Sequence, residues 1–465
     1  MAGFRNHLKR EERKEKRKDI LMKRIRPDRC RGASDSRLPS PIPARVYRTL
    51  DEEVKRQYHP IPPRYERLPA FCLFLYAVAA VCLILLIIQS GSVAFSDWFN
   101  LHISAPLRAF LAALTAPLPF SLGEFTVLLL PLVLVVTLRH AIRRRCDSWR
   151  AAGVFIGVLI SVLLSFFSVF VLNFSAGYRN STLDVKLELE QKQVSAEDLA
   201  DTARILVRHL NEEAGKLGFE RDGFSVMPYS LAEMNDRLSD AYAAFCSSHD
   251  FIRNNAGQPK PVLVSEILSY MHITGVYSFF TGEANINVNF PDYTTPYTAA
   301  HEMAHQRGIA REDEANMVAF LVCIGSDDSY IRYSAYLNMY EYVANALYSA
   351  DANRYRTIHA ELNSATRSEL SAYNRFYEKY RDSAASKVSD VVNNTYLHTQ
   401  QVSHGTRSYG MVVDLTVAWY KAYPEKWGEC REMRGEHCLR DGEVPFADKP
   451  RKQPRHNPKR VNFHS

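Results

Sequence analysis

Apolar residues follow two patterns along this chain, and the change comes near residue 178. Before it they form unbroken runs. Leu68 to Ser96 carries no charged side chain, and its centre, FCLFLYAVAAVCLILLII, reaches the roughly 18 apolar residues at which a run reads as a spanning helix. Ala151 to Tyr178 is equally free of charge and contains VFIGVLISVLLSFFSVFVL. Between them, Phe125 to Leu138 is shorter, and it spans only if its helix starts near Phe120 and tolerates Glu124 at one end. The pattern predicts three transmembrane helices, at about 70–90, 120–139 and 153–173, with a buried hairpin as the alternative for the middle one.

Past Tyr178 the runs give way to amphipathic spacing. Leu187, Leu189, Val194, Leu199, Ala203, Leu206 and Leu210 make a helical stripe across 184–217, with Gly218 as its stop. A second helix covers about Leu231 to Cys246, followed by the loop RNNAGQPKP. PVLVSEI (261–267) and ANINVNF (284–290) read as strands, and the second alternates as a half-exposed strand does. Helices fill about Pro296 to Lys379 and Tyr409 to Ala422, and the aromatic run Tyr330 to Tyr348 reads as core or membrane-facing surface. The expected architecture is mainly α with a small β-sheet: a domain over 179–425, preceded by a membrane region over 68–178 and followed by a disordered, Pro- and charge-rich tail over 426–465.

Charge sets the expected orientation. The chain is +7 overall, but residues 1–70 hold 20 Lys/Arg against 10 Asp/Glu, so the remainder sums to −3. The basic arm (1–67) and RHAIRRRCDSWR after the second run both belong on the cytoplasmic side, which sends everything after about Tyr178 across the membrane. About 65 polar residues precede the first run, so it reads as an uncleaved anchor rather than a signal peptide. The arm lacks the interleaved aromatics on which single-stranded nucleic acid stacks, so the bilayer and no nucleic acid is the expected partner. None of the eight cysteines forms a CxxC pair; Cys430 and Cys438 either close a small disulfide or stay reduced.

Chemistry concentrates in PYTAAHEMAHQRGIAREDEANMVAFLVC, residues 296–323. His301 and His305 stand four apart, so on a helix both imidazoles project from one face and can share one tetrahedral Zn²⁺. Glu302, beside the first histidine, is placed to act as general base, the HExxH arrangement. Gly308 permits a sharp turn, and a second helix near Arg311 brings Glu312 or Glu314 back as a third ligand. Asn316, one turn beyond Glu312, is expected to orient a histidine through its second nitrogen. Glu283, Ala284 and Asn285 are read either as an edge strand that receives a peptide by strand addition or as a plain turn and strand. His272, His404 and Tyr409 are the candidate transition-state donors.

This string resembles the gluzincin-type zinc metallopeptidases, in which HExxH supplies two ligands and a Glu on the next helix supplies the third. Here Asn316 stands where Asp is commoner, and the connection from His305 to Glu312 is short. Three membrane segments, then TGEANIN, then HEMAHQRGIAREDEAN more closely resemble an uncharacterised family of bacterial membrane proteins with a zincin-like core, over about residues 70–425. The resemblance implies a zinc site and a bacterial cell-membrane location, and it names no substrate. The expected activity is hydrolysis of peptide bonds in an extracytoplasmic peptide or envelope-protein substrate, with Glu302 as base. The alternative is a non-catalytic membrane protein whose zinc site, or its relic, staples two helices.

Overall fold

The computed structural model describes residues 67–144, 149–190, 192–381, 383 and 410–424. The basic arm, the C-terminal tail, Cys430, Cys438, His404 and Tyr409 lie outside them. Within them the chain is mainly helical with one three-stranded sheet.

The first tier comprises α1 (Ala70–Gly91), α2 (Val93–Phe99), a π-helical turn (Asn100–Ser104), α3 (Ala105–Thr115), α4 (Leu122–Arg144) and α5 (Trp149–Asn173). Ala70–Gly91, Leu122–Arg139 and Ala152–Asn173 are long and apolar enough to cross a membrane. On α4 the side chains of Val127, Leu130, Leu132 and Val136 have no protein cover, as lipid-facing groups do. α1 and α5 run side by side in the same direction: Tyr76 Oη donates to the Gly157 carbonyl (3.0 Å), and further along Ser175 Oγ donates to Gln89 Oε1 (2.6 Å). α4 begins at the end where those two finish. Its N-terminal amides at Leu122 and Gly123 donate to the Glu283 carboxylate (3.1 and 2.7 Å), and Glu124 accepts from the Leu263 and Val264 amides (3.0 and 2.9 Å). Glu124 is thereby tolerated, because it is spent on the domain's backbone rather than on lipid.

The second tier holds α6 (Leu183–Lys186), α7 (Ala196–Ala214), α8 (Leu231–Ser248), β1 (Lys260–Pro261), α9 (Ser265–Tyr270), β2 (Gly275–Ser278) and β3 (Glu283–Ile286). It continues through α10 (Thr294–Gln306), α11 (Glu312–Ile324), α12 (Ser329–Ala350), α13 (Ala352–Ala360), α14 (Ser364–Glu378) and α15 (Met411–Ala422). Reciprocal capping boxes start α7 (Ser195 with Asp198) and α8 (Ser230 with Glu233). The stripe expected across 184–217 breaks between α6 and α7, yet Leu187, Leu189 and Val194 still pack into the core, and α7 stops before Gly218. Tyr330, Tyr333 and Tyr340 are buried core residues of α12, packed with Leu206 and Leu210 of α7 and Phe320 of α11.

The sheet differs from its sequence pattern. Its order is β1-β3-β2, with β1 parallel and β2 antiparallel to β3. Of the 261–267 run only Pro261 pairs as a strand, together with Lys260 before it; the rest turns into α9, where Ser265 Oγ donates to the Val262 carbonyl (2.7 Å). β3 is central and wholly buried rather than half-exposed. β1 and β2 are its two edges, and on β2 the Val276 side chain is exposed.

Candidate metal centre

α10 and α11 form a tight hairpin with the chemistry on its inner face. α10 ends at Gln306 because Gly308 takes φ +97°, a left-handed conformation that only glycine adopts without strain. The chain then returns at once, and α11 opens with Glu312, Asp313 and Glu314 in its first turn, where the helix dipole favours carboxylates.

His301, His305 and Glu312 each offer a ligand atom, and these atoms lie within 4.8 Å of one another. Glu312 Oε2 is 3.2 Å from His301 Nε2 and 3.4 Å from His305 Nε2. Ligands at the usual zinc distances of about 2.0–2.1 Å stand about 3.3 Å apart along a tetrahedron's edge. The donor set and its spacing therefore fit one zinc ion. The two imidazoles are perpendicular, with ring centres 4.6 Å apart, and the Phe174 ring at the end of α5 packs edge-on against His305 at 6.0 Å. Nδ1 of His305 donates to the Ile309 carbonyl (2.7 Å); a carbonyl can only accept, so the neutral ring keeps its proton on Nδ1 and can offer the Nε2 lone pair to a metal.

Electrostatics ties these groups together. Burial draws the His305 imidazole down, but the charge and hydrogen bond of Glu312 outweigh it and push the group up to about 9. Burial likewise opposes the charge of Glu312, and the two histidines hold that carboxylate well below its ordinary range. These are one contact seen from its two partners. Glu302 differs: burial pushes it up to about 7 against the lowering effect of the two histidines. The residue is 4% exposed, and among the described residues neither its Oε2 nor His301 Nδ1 has a hydrogen-bond partner. Glu312 is 46% exposed, so the cluster opens toward solvent on that side.

Other expected site residues lie elsewhere in the network. Glu314 is buried and binds Arg311 Nη1 (2.8 Å) and the Leu183 amide (3.0 Å), so it braces α6 and is not a ligand. Asn316 does not reach a histidine; its carbonyl and side-chain oxygens accept from Tyr297 Oη (3.1 and 3.4 Å), and the orienting role falls to the Ile309 carbonyl. Glu283, Ala284 and Asn285 are buried in the central strand, with Glu283 paired to Lys260 (2.8 Å), so they offer no strand-addition edge. His272 Nε2 is engaged with the Tyr380 carbonyl (2.8 Å), away from the cluster.

Gly275 is the neighbour that the motif alone missed. A Cβ there would lie 2.6 Å from Glu302 Oε1, so the edge strand can approach the carboxylate only as glycine. A glycine inside an apolar run, TGVYSFF, is the signal that points to such an approach.

No curated protein and no solved structure matches the chain. Residues 99–417, from the end of α2 to α15, match the family DUF3810, described as a protein of unknown function, and the chain belongs to that family.

Proposed function

We propose that this chain is a zinc-dependent peptidase of a bacterial cell membrane, with its N-terminus in the cytoplasm and its hydrolytic domain outside. The orientation rests on the Lys/Arg bias and on the ends of α1 and α5 and the start of α4 meeting at the domain. His301, His305 and Glu312 would hold the metal. When bound, zinc supplies Lewis acidity to a carbonyl oxygen and lowers the pKa of water toward neutrality. Glu302 is the base: its buried oxygen, near neutrality by virtue of burial, takes a proton from water and returns it to the departing amine. β2, beside Glu302, is an edge strand of the sheet, along which an extended peptide can lie.

The observation that carries this reading is the pairing of a three-donor cluster with an adjacent buried carboxylate oxygen that has no partner among the described residues. A helix-stapling zinc is closed by four protein ligands, whereas three donors converge among the described residues and Glu312 faces solvent.

The test uses the full chain in detergent with a pool of quenched fluorescent peptides. Wild type is expected to carry about one zinc per chain and to cleave, as a three-residue catalytic site would. His301→Ala is expected to lose the metal, and Glu302→Gln to keep it but lose turnover. Full cleavage by Glu302→Gln rejects the mechanism. Retained metal with no cleavage by wild type, and a sharp fall in melting temperature on chelation, assigns the zinc a stapling role.

A further inference from the structure

The turn after the second histidine is held from the membrane tier. Three consecutive carbonyls emerge there, of Arg307, Gly308 and Ile309. Arg108 Nη2 donates to the first (3.3 Å), Asn100 Nδ2 to the second (3.2 Å) and His305 Nδ1 to the third (2.7 Å). Arg108 and Asn100 both lie between the first two membrane helices, 199 and 208 residues from their acceptors.

Arg108 is 1% exposed, and its acceptors are oxygens of amides rather than carboxylates. Nη1 donates to Asn100 Oδ1 (3.0 Å) and to the Asn173 carbonyl (2.6 Å), and Nη2 also reaches the Asn100 carbonyl (3.2 Å). The guanidinium thus sits where the C-terminal ends of α5 and α10 converge, and two helix dipoles supply the negative potential that a carboxylate would. The packing leaves no slack. A Cβ on Gly308 would come 2.2 Å from Arg108 Nη2, and one on Gly177 would come 2.8 Å from the Gly308 carbonyl.

We propose that Arg108 and Asn100 are positioning residues for the metal centre: by pinning the 307–309 turn they hold the Ile309 carbonyl that fixes the His305 tautomer. The membrane tier is then a structural part of the site and not only its anchor. This rests on the metal-site reading above. With the turn released, the proton on Nδ1 loses its acceptor, and the tautomer with the proton on Nε2, the nitrogen facing Glu312, becomes competitive. That tautomer cannot bind a metal through Nε2, the nitrogen that faces Glu312.

The experiment measures zinc affinity of full-length protein in detergent by competition with a chromophoric chelator, with melting of the metal-free form alongside. Asn100→Ala removes one donor. Gly308→Ala keeps both donors and displaces the guanidinium. Arg108→Lys keeps the charge with fewer hydrogen bonds. Asn100→Ala and Gly308→Ala are expected to lose roughly 10–100-fold in affinity while still melting cooperatively, the usual effect of losing a ligand's orienting partner, and Arg108→Lys is expected to fall between them and wild type. Glu124→Gln loosens a different tie between the tiers and is expected to stay within about twofold. Wild-type affinity in all three turn variants overturns the proposal, and so does an equal loss in Glu124→Gln. Wild type that binds no zinc rejects the metal reading instead.

Discussion

The α10–α11 turn has a closed end toward the membrane tier and an open end at the His301–His305–Glu312 cluster, and the two obey opposite rules. At the turn, the carbonyls of Arg307, Gly308 and Ile309 each have a side-chain donor, and a Cβ added at Gly308 would have to displace the Arg108 guanidinium. At the cluster, Glu302 Oε2 and His301 Nδ1 are buried without a partner among the described residues, and Glu312 is nearly half exposed. Arg108 Nε and Asn173 Oδ1 are also buried without a bond among the described residues, so what marks the cluster is that its unpaired atoms stand beside three converging metal-ligand groups. The closed end supplies the rigidity that makes the open end chemically useful.

The largest effect is expected at the closed end. Arg108→Met strands the Arg307, Asn173 and Asn100 carbonyls in a buried space and is expected to cost about 3–5 kcal/mol in unfolding experiments. A cost below about 1 kcal/mol would erase the contrast between the ends.

At the open end, Gly275→Ala pushes a methyl into Glu302 and is expected to lower peptide turnover roughly 10²-fold with zinc still bound. Unchanged turnover would show that Glu302 has room to spare and that β2 does not set its position.

Metal affinity is expected to depend on pH through His305. Its folded pKa is raised to about 9, so below that pH the metal-free imidazole carries a proton that zinc must displace. Apparent affinity is expected to rise about tenfold per pH unit between pH 6 and 8, with proton release visible by calorimetry in buffers of different ionisation heat. The same contact stabilises the metal-free fold fully between the unfolded values of the two groups, about pH 4.5 and 6.5; it fades as pH rises through about 9 and His305 deprotonates, and again at low pH as Glu312 takes up a proton. A flat affinity profile would mean that the imidazolium–carboxylate contact is absent in solution.

The smallest effect is expected at Asn316. Asn316→Ala touches Tyr297 and no histidine, so zinc affinity is expected to stay within about twofold and stability within about 1 kcal/mol. A tenfold weaker metal would restore to Asn316 the orienting role that the Ile309 carbonyl fills.

What could be read in advance depended on how local the physics was. Membrane helices announce themselves because hydrocarbon excludes charge along a whole run, and α1, α4 and α5 fall where those runs lie. His301, Glu302, His305 and the Gly308 break share one helix and its end, so spacing alone brings them together. The strand pattern misled, because alternation in ANINVNF describes a two-sided environment, and β3 has protein on both faces. Val262 to Ser265 read as strand from apolar content, but the Glu124 carboxylate takes the Leu263 and Val264 amides that a ladder would need.

Sequence by itself determined the helical class, three lipid-length segments and the two imidazoles one turn apart, since each follows from neighbours within about four positions. Only the tertiary structure decided that Glu312 and not Glu314 joins them, that a backbone carbonyl orients His305, and that Arg108 from the membrane tier closes the turn. Those choices depend on which buried polar atoms meet across some 200 residues of chain, and such meetings are set by packing and desolvation together rather than by any local preference.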